Sequence, residues 1–184
     1  MAEKQINTTA DDAEAMSRLR DLITNIRIAM VTTEGADGTL HSRPMYAQQA
    51  EADGDLWFAT SRGSDLVKEL REKARILATF SDTSSQRYVV IRGEGHEHND
   101  QAKIQELWNP RMAAWFPSGP NDPDLTLVHL HAERADVWDS PSGPSRLIRY
   151  VTALVTGSTP DGGDRLSVDL KTSAERVVGH DVSA

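Results

Sequence analysis

Hydrophobic residues first recur at helical spacing. Over residues 12–26, Met16, Leu19, Leu22, Ile23 and Ile26 fall three or four positions apart, which predicts a helix with one apolar stripe packed on a core. The pattern then turns β-like. An apolar run at 28–33, turn chemistry at Gly35-Ala36-Asp37-Gly38 and an extended run over 40–49 predict a hairpin. Asp53-Gly54 supplies the next turn, residues 56–60 read as a third strand, and Ser64 caps a short helix through residue 72 with Leu66, Val67 and Leu70 on its apolar face. Residues 76–80 and 87–91 are β-branched or aromatic-rich. The second of these runs on through Gly93 and Gly95, which in a strand predict sharp bending or a bulge.

Asn99 or Asp100 starts a helix to Trp108, with Ile104, Leu107 and Trp108 as its buried side. Runs at 125–130 and 134–139 predict a further strand pair. Leu147, Tyr150, Val151 and Leu154 suggest a late helix or strand, and 165–170 an edge strand. Short strands with inserted helices imply a mainly β (α+β) fold: a small antiparallel barrel with flanking helices. Parallel α/β is disfavoured because the 28–49 strands connect too tightly for crossover helices. The expected organisation is a flexible N-terminus (1–11), one barrel domain (12–170) and a mobile tail (171–184).

One segment breaks the polar habit of connections. Residues 108–123 hold Trp108, Trp115, Phe116 and four prolines, so this stretch is expected to be buried against the barrel or a partner. Small barrels fill themselves with strand Val, Ile and Leu. The surplus aromatics, Trp138 included, therefore point to a subunit interface.

Composition narrows the functional classes. The formal charge of −8 over 184 residues argues against nucleic acid or an anionic membrane as the main partner. Cysteine is absent, which removes disulfides and thiolate chemistry. No segment approaches the roughly 20 apolar residues of a membrane span, and the N-terminus lacks a leader pattern, so a soluble cytoplasmic protein is expected.

Standard catalytic sets are missing: no Gly-rich phosphate loop, no nucleophile elbow, no helical His pair flanking a Glu. His96 and His98 share one strand face, as do His129 and His131, which makes a metal site conceivable without predicting one. Asp136 and Asp139 read as hydrogen-bonding groups near a strand end. A more coherent group is Arg43 on the second strand together with Thr60, Ser61, Arg62, Ser64 and Lys68 around the third strand's exit. Hydroxyls, amides and cations at one helix start suit a terminal phosphate, although a solvated, capped helix start explains the same residues.

Ser42-Arg43-Pro44-Met45, Trp57-Phe58-Ala59-Thr60-Ser61, Lys68-Glu69-Leu70, Tyr88-Val89-Val90-Ile91-Arg92-Gly93, the 108–123 stretch and Ala135-Asp136-Val137-Trp138-Asp139 occur in consistent order over roughly residues 12 to 170. In this the chain resembles the general stress protein 26 group of the pyridoxamine 5′-phosphate oxidase-like, FMN-binding split-barrel superfamily. The resemblance implies a six-stranded antiparallel split β-barrel, a homodimer, and FMN bound at its interface. It assigns Arg43, Pro44 and Met45 to the isoalloxazine and ribityl parts, Thr60, Ser61 and Ser64 to the phosphate, and Trp115 and Phe116 to completing the pocket. Where the family places a Lys two residues after the Ser64 position this chain has Leu66, leaving Lys68 or Arg62 as substitutes. A redox or stress role follows from the resemblance, with the flavin carrying the chemistry if the protein is an oxidoreductase. A reductase using a deazaflavin or nicotinamide partner and a non-enzymatic binding protein with a degenerate flavin site are the alternatives.

Overall fold

A computed structural model describes residues 19–21, 23–51, 54–139 and 164–170. The late helix or strand expected at 147–154 and both termini lie outside the described residues. Helix α1, described at 19–21 and 23–26, buries Leu19 and Ile23. Among the described residues seven strands follow: β1 (Ile28–Glu34), β2 (Leu40–Ala50), β3 (Leu56–Ser61), β4 (Arg75–Asp82), β5 (Arg87–His98), β6 (Leu125–Asp139) and β7 (Asp164–Asp169). Between them stand α2 (Asp65–Glu72), α3 (Gln101–Leu107) and the single turn α4 (Pro110–Ala113).

Every pairing is antiparallel, in the order β3-β2-β1-β4-β5-β6-β7, and a β3–β6 pairing closes the first six strands into a barrel. Strand β6 makes the split. Its first half, Leu125 to Leu130, pairs with β3, and its second half, Arg134 to Asp139, pairs with β7. The strand pair expected at 125–130 and 134–139 is therefore one continuous strand whose halves take different neighbours. The break in hydrophobic pattern around Glu133 is a bulge against β5, where the register shifts between Arg92 and Gly93. Gly93 is required there, because a Cβ at this position would lie 1.9 Å from the His131 carbonyl oxygen.

Alternation along β1, β4 and β5 places Ala29, Val31, Ile76, Ala78, Phe80, Val89 and Ile91 inside. Ser64 Oγ accepts from Val67 N–H as the N-cap of α2, and Leu66, Val67 and Leu70 of that helix join the barrel core. A second, smaller core lies outside the barrel wall. Ile104 and Leu107 of α3, Met112 of α4 and Phe116 pack there on Trp57, Leu125 and Leu127 of β3 and β6. The aromatic stretch thus folds as α4, a turn and a 3-10 turn at Gly119–Asn121, with Asn109 capping α4 and Pro110 in its first turn.

Candidate functional site

A cleft of about 610 Å³ opens between the barrel wall and the α4 segment. Strand β2 contributes Arg43, Pro44, Met45, Tyr46 and Gln48, the end of β3 gives Ala59, Thr60 and Ser61, and the far wall consists of Arg111, Met112, Trp115 and Phe116. Ile28 and Asp124 complete it. Of the residues singled out in the sequence, Arg43, Pro44, Met45, Thr60, Ser61, Trp115 and Phe116 therefore share one cavity. Ser64 and Lys68 do not line it: Ser64 Oγ receives a hydrogen bond from Thr60 Oγ1 at 3.2 Å while capping α2, and Lys68 Nζ pairs with Asp65 at 2.8 Å on the surface.

Register fixes what each β2 residue can do. Arg43 stands opposite Val31 and Met45 opposite Ala29, both buried, whereas Pro44 and Tyr46 stand opposite Met30 and Ile28 on the other face. The Arg43 guanidinium accordingly turns toward the barrel interior. It donates from Nη1 to Thr33 Oγ1 at 2.6 Å and from Nη2 to Glu69 Oε2 at 2.8 Å, and His41 Nδ1 lies 2.5 Å from Glu69 Oε1. Burial opposes ionisation of Glu69, but hydrogen bonds from Thr33, His41 and Arg43 outweigh it and hold the carboxyl below its ordinary value. Arg43 is thus a rigid part of the cleft wall, with two of its nitrogens already engaged.

The Ser61 end of the cleft is poor in available cations. Ser61 Oγ donates to Asp124 at 2.8 Å, and Arg62 is tied to the Pro123 carbonyl at 2.9 Å and to Asn99 Oδ1 at 2.5 Å. Leu66, at the position where a cation was expected, is 1 % exposed and belongs to the barrel core. At the opposite wall, Arg111 lies over the Tyr46 ring, 4.6 Å from its centroid, and donates to the Tyr46 hydroxyl. Tyr46, Gln48, Arg111, Met112 and Asp124 escaped the sequence reading. Arg111 carried a signal all the same, being the only cation within the aromatic 108–123 stretch.

The histidines answer to a separate arrangement. His96 and His129 are register partners, but His129 Nε2 at 2.8 Å and His131 Nδ1 at 3.0 Å both face Asp55 Oδ2, and His129 stacks on Trp57 with centroids 4.2 Å apart. Asp55 Oδ1 also accepts from Ala132 N–H at 2.7 Å. No three His, Asp or Glu side chains among the described residues converge as metal ligands. Trp115, in contrast to buried Phe116, is 82 % exposed at the cleft mouth. Ile28 and Met30 on β1 add exposed apolar surface, at 58 % and 44 %.

No described helix is long and apolar enough to cross a membrane. A comparison with curated proteins found no match to the chain. Solved structures do match. A protein related to general stress protein 26 from Clostridium acetobutylicum is 18 % identical with a TM-score of 0.67, covering 88 % of this chain and 98 % of that one. A protein described as general stress protein 26 from Jannaschia sp. is 26 % identical with a TM-score of 0.69, over 85 % and 99 % of the two chains. The general stress FMN/FAD binding protein of Xanthomonas citri is 32 % identical with a TM-score of 0.62, over 73 % and 93 %. The model of the pyridoxamine 5′-phosphate oxidase-like family matches residues 14–161, which with the closed, split barrel places the chain in that family.

Proposed function

We propose that this protein binds FMN in the β2–β3–α4 cleft, as a homodimer whose second copy covers the cleft mouth, and serves a redox or stress-related role. The observation that carries the reading is the cleft itself. Its volume lies in the range of small-molecule sites, and its walls join apolar faces (Met45, Met112, Phe116, Trp115) to a few polar groups at defined positions, which suits a planar ring with a polar tail. The flavin-binding relative from Xanthomonas citri supports the same ligand class.

Pro44, Met45 and Phe116 would hold the ring, Thr60 and Ser61 would offer hydroxyls, and Arg43 would keep one wall fixed through Glu69. A bound flavin supplies hydride or electron transfer, chemistry that no side chain of the cleft provides. The exposed Trp115, Ile28 and Met30 supply apolar surface for a second copy, which would exclude water from the ring.

A second reading, a binding protein for a planar ligand lacking a phosphate, draws on the buried Leu66 and the engaged Arg62 and Lys68. Parallel titrations with FMN and riboflavin separate the two. Preference for FMN supports the first reading, and equal affinity supports the second. Reduction of the bound flavin on adding NADPH then distinguishes a reductase from a carrier.

A further inference from the structure

One buried acid is shared between the cleft and the outer surface of the barrel. Thr33 of β1 donates to Glu69 Oε2, Arg43 Nη2 of β2 donates to the same oxygen, and Arg43 Nη1 donates to Thr33 Oγ1. Guanidinium, hydroxyl and carboxylate thus close a ring of hydrogen bonds. The remaining oxygen, Oε1, faces His41 Nδ1 at 2.5 Å. His41 stands opposite Thr33 in the β1–β2 register, two positions before Arg43 and so on the same face of the strand.

The two cationic partners of Glu69 meet different surroundings. Arg43 is partly buried and lines the cleft, whereas the His41 side chain is 49 % exposed. An ionised carboxylate only accepts, so His41 Nδ1 carries the hydrogen of this contact and Nε2 is the atom that takes up or releases a proton. Histidine ordinarily changes charge between about pH 5 and 8. Burial opposes ionisation of Glu69, but the Thr33, His41 and Arg43 bonds prevail, so the carboxylate keeps its charge over that range. With His41 neutral, Arg43 and Glu69 offset each other. With His41 protonated, the same three side chains carry one net positive charge.

The other charges around this group are matched elsewhere. Asp65 of α2 pairs with Lys68 at 2.8 Å, and Lys73 just beyond that helix pairs with Glu34 of β1 at 2.6 Å. Arg75 of β4 acts on Glu34, and Asp37 of the β1–β2 turn, which His41 influences at longer range, is bonded to Thr39 through both carboxylate oxygens. Among the described residues, Glu69 is the carboxylate that His41 contacts directly.

We infer that His41 and Glu69 are positioning residues of the cleft, setting the charge that Arg43 presents, so that a proton on His41 raises the preference for a negatively charged ligand. The inference rests on the reading of the cleft as a ligand site. An imidazolium competes with Arg43 for the one carboxylate and leaves the guanidinium less compensated. Across roughly 10 Å of partly solvated protein, one added charge changes the affinity for an anion by a factor of about three to five.

The first measurement needs no ligand. In the full-length protein, the Arg43 Nε–H and His41 Cε1–H NMR resonances are followed from about pH 8 to about pH 5.5. Arg43 should shift with the His41 midpoint, stay flat in His41→Gln, and no longer follow His41 in Glu69→Gln. An Arg43 resonance that is flat in the wild type, or that still shifts in either variant, would overturn the inference.

FMN, an anion, and riboflavin, which has the same ring without the phosphate, are then titrated over the same range. Relative to His41→Gln, whose profile accounts for titration of the FMN phosphate itself, the wild-type ratio of FMN to riboflavin affinity should rise about three- to fivefold towards acid pH. His41→Lys, positive throughout, should hold the ratio near its acid value. Identical profiles in the wild type and both His41 variants would overturn the inference. If neither flavin binds, the flavin reading of the cleft falls, and the coupling of Arg43 to His41 still decides the inference.

Discussion

Arg43 Nη2 on β2 donates to Glu69 Oε2 on α2 at 2.8 Å, so one charge-assisted hydrogen bond ties the cleft wall to the helix packed on β1 and β5. Thr33 and His41 bind the same carboxylate, and Glu69 is 7 % exposed. Replacing Glu69 with Ala strands a half-buried guanidinium and a buried hydroxyl. It should cost about 2–3 kcal/mol in chemical denaturation, the usual range for a hydrogen bond to a charged group with partners left unmade.

The same carboxylate gives an acid limb. A group whose folded pKa lies below its unfolded value contributes stability that is complete above the unfolded value and disappears as pH falls through the folded one. Glu69 is lowered from 4.5, burial being outweighed by Thr33, His41 and Arg43. Wild type should therefore lose stability as pH drops from about 4.5, and Glu69→Gln should flatten part of that loss. Thermal melts across this acid range check it.

Asp55 clamps β3 to β6 by accepting from Ala132 N–H and facing His129 and His131. Burial raises its pKa, but the His129, Ala132 and His131 contacts prevail and the net shift is downward from 3.8. Asp55→Asn should destabilise the protein by about 1.5–3 kcal/mol near neutral pH. The difference from wild type should shrink as pH falls below the Asp55 folded value, which denaturant titrations at two pH values would register.

Two glycines on β5 should respond unequally. An added Cβ at Gly93 meets the His131 backbone oxygen at 1.9 Å, whereas one at Gly95 meets Leu70 Cδ2 at 2.8 Å. A side-chain methyl can move and a bulged backbone cannot. Gly93→Ala should thus cost about 3 kcal/mol or more and Gly95→Ala distinctly less, as an overpacking penalty does. Unfolding midpoints of the two variants give the comparison.

Trp115 at 82 % exposure contributes little to its own chain's fold. Trp115→Ala should leave monomer stability within about 0.5 kcal/mol, as surface changes do. Dimer stability and FMN affinity should each fall by about 2–4 kcal/mol if the ring is an interface anchor beside the cofactor. Sedimentation and flavin titration of the variant measure both.

Local pattern made most strands and α2 legible, because each carries its own alternation or cap: Ser64 before α2, Asp100 before α3, β-branched runs in β1, β4 and β5. The unity of β6 was not legible. A bulge at Glu133 interrupts alternation in the way a turn would, and only pairing with β5, β3 and β7 distinguishes them. Asn109-Pro110 announces α4, an N-cap followed by Pro in the first turn, within a stretch that otherwise reads as a connection. The cleft was half visible. Arg43 to Met45 and the Trp115-Phe116 pair stand out as motifs, whereas Tyr46 and Arg111 are 65 positions apart and meet only through the fold. Leu66 illustrates the opposite limit, a position named for chemistry that the helix turns into the core.

The most direct test of the account is sedimentation velocity of the full chain mixed with FMN, recorded in both the protein and the flavin absorbance bands. The account predicts flavin travelling with a particle of two chains, one flavin per chain. Flavin sedimenting as free ligand, or with a single-chain particle, would contradict it.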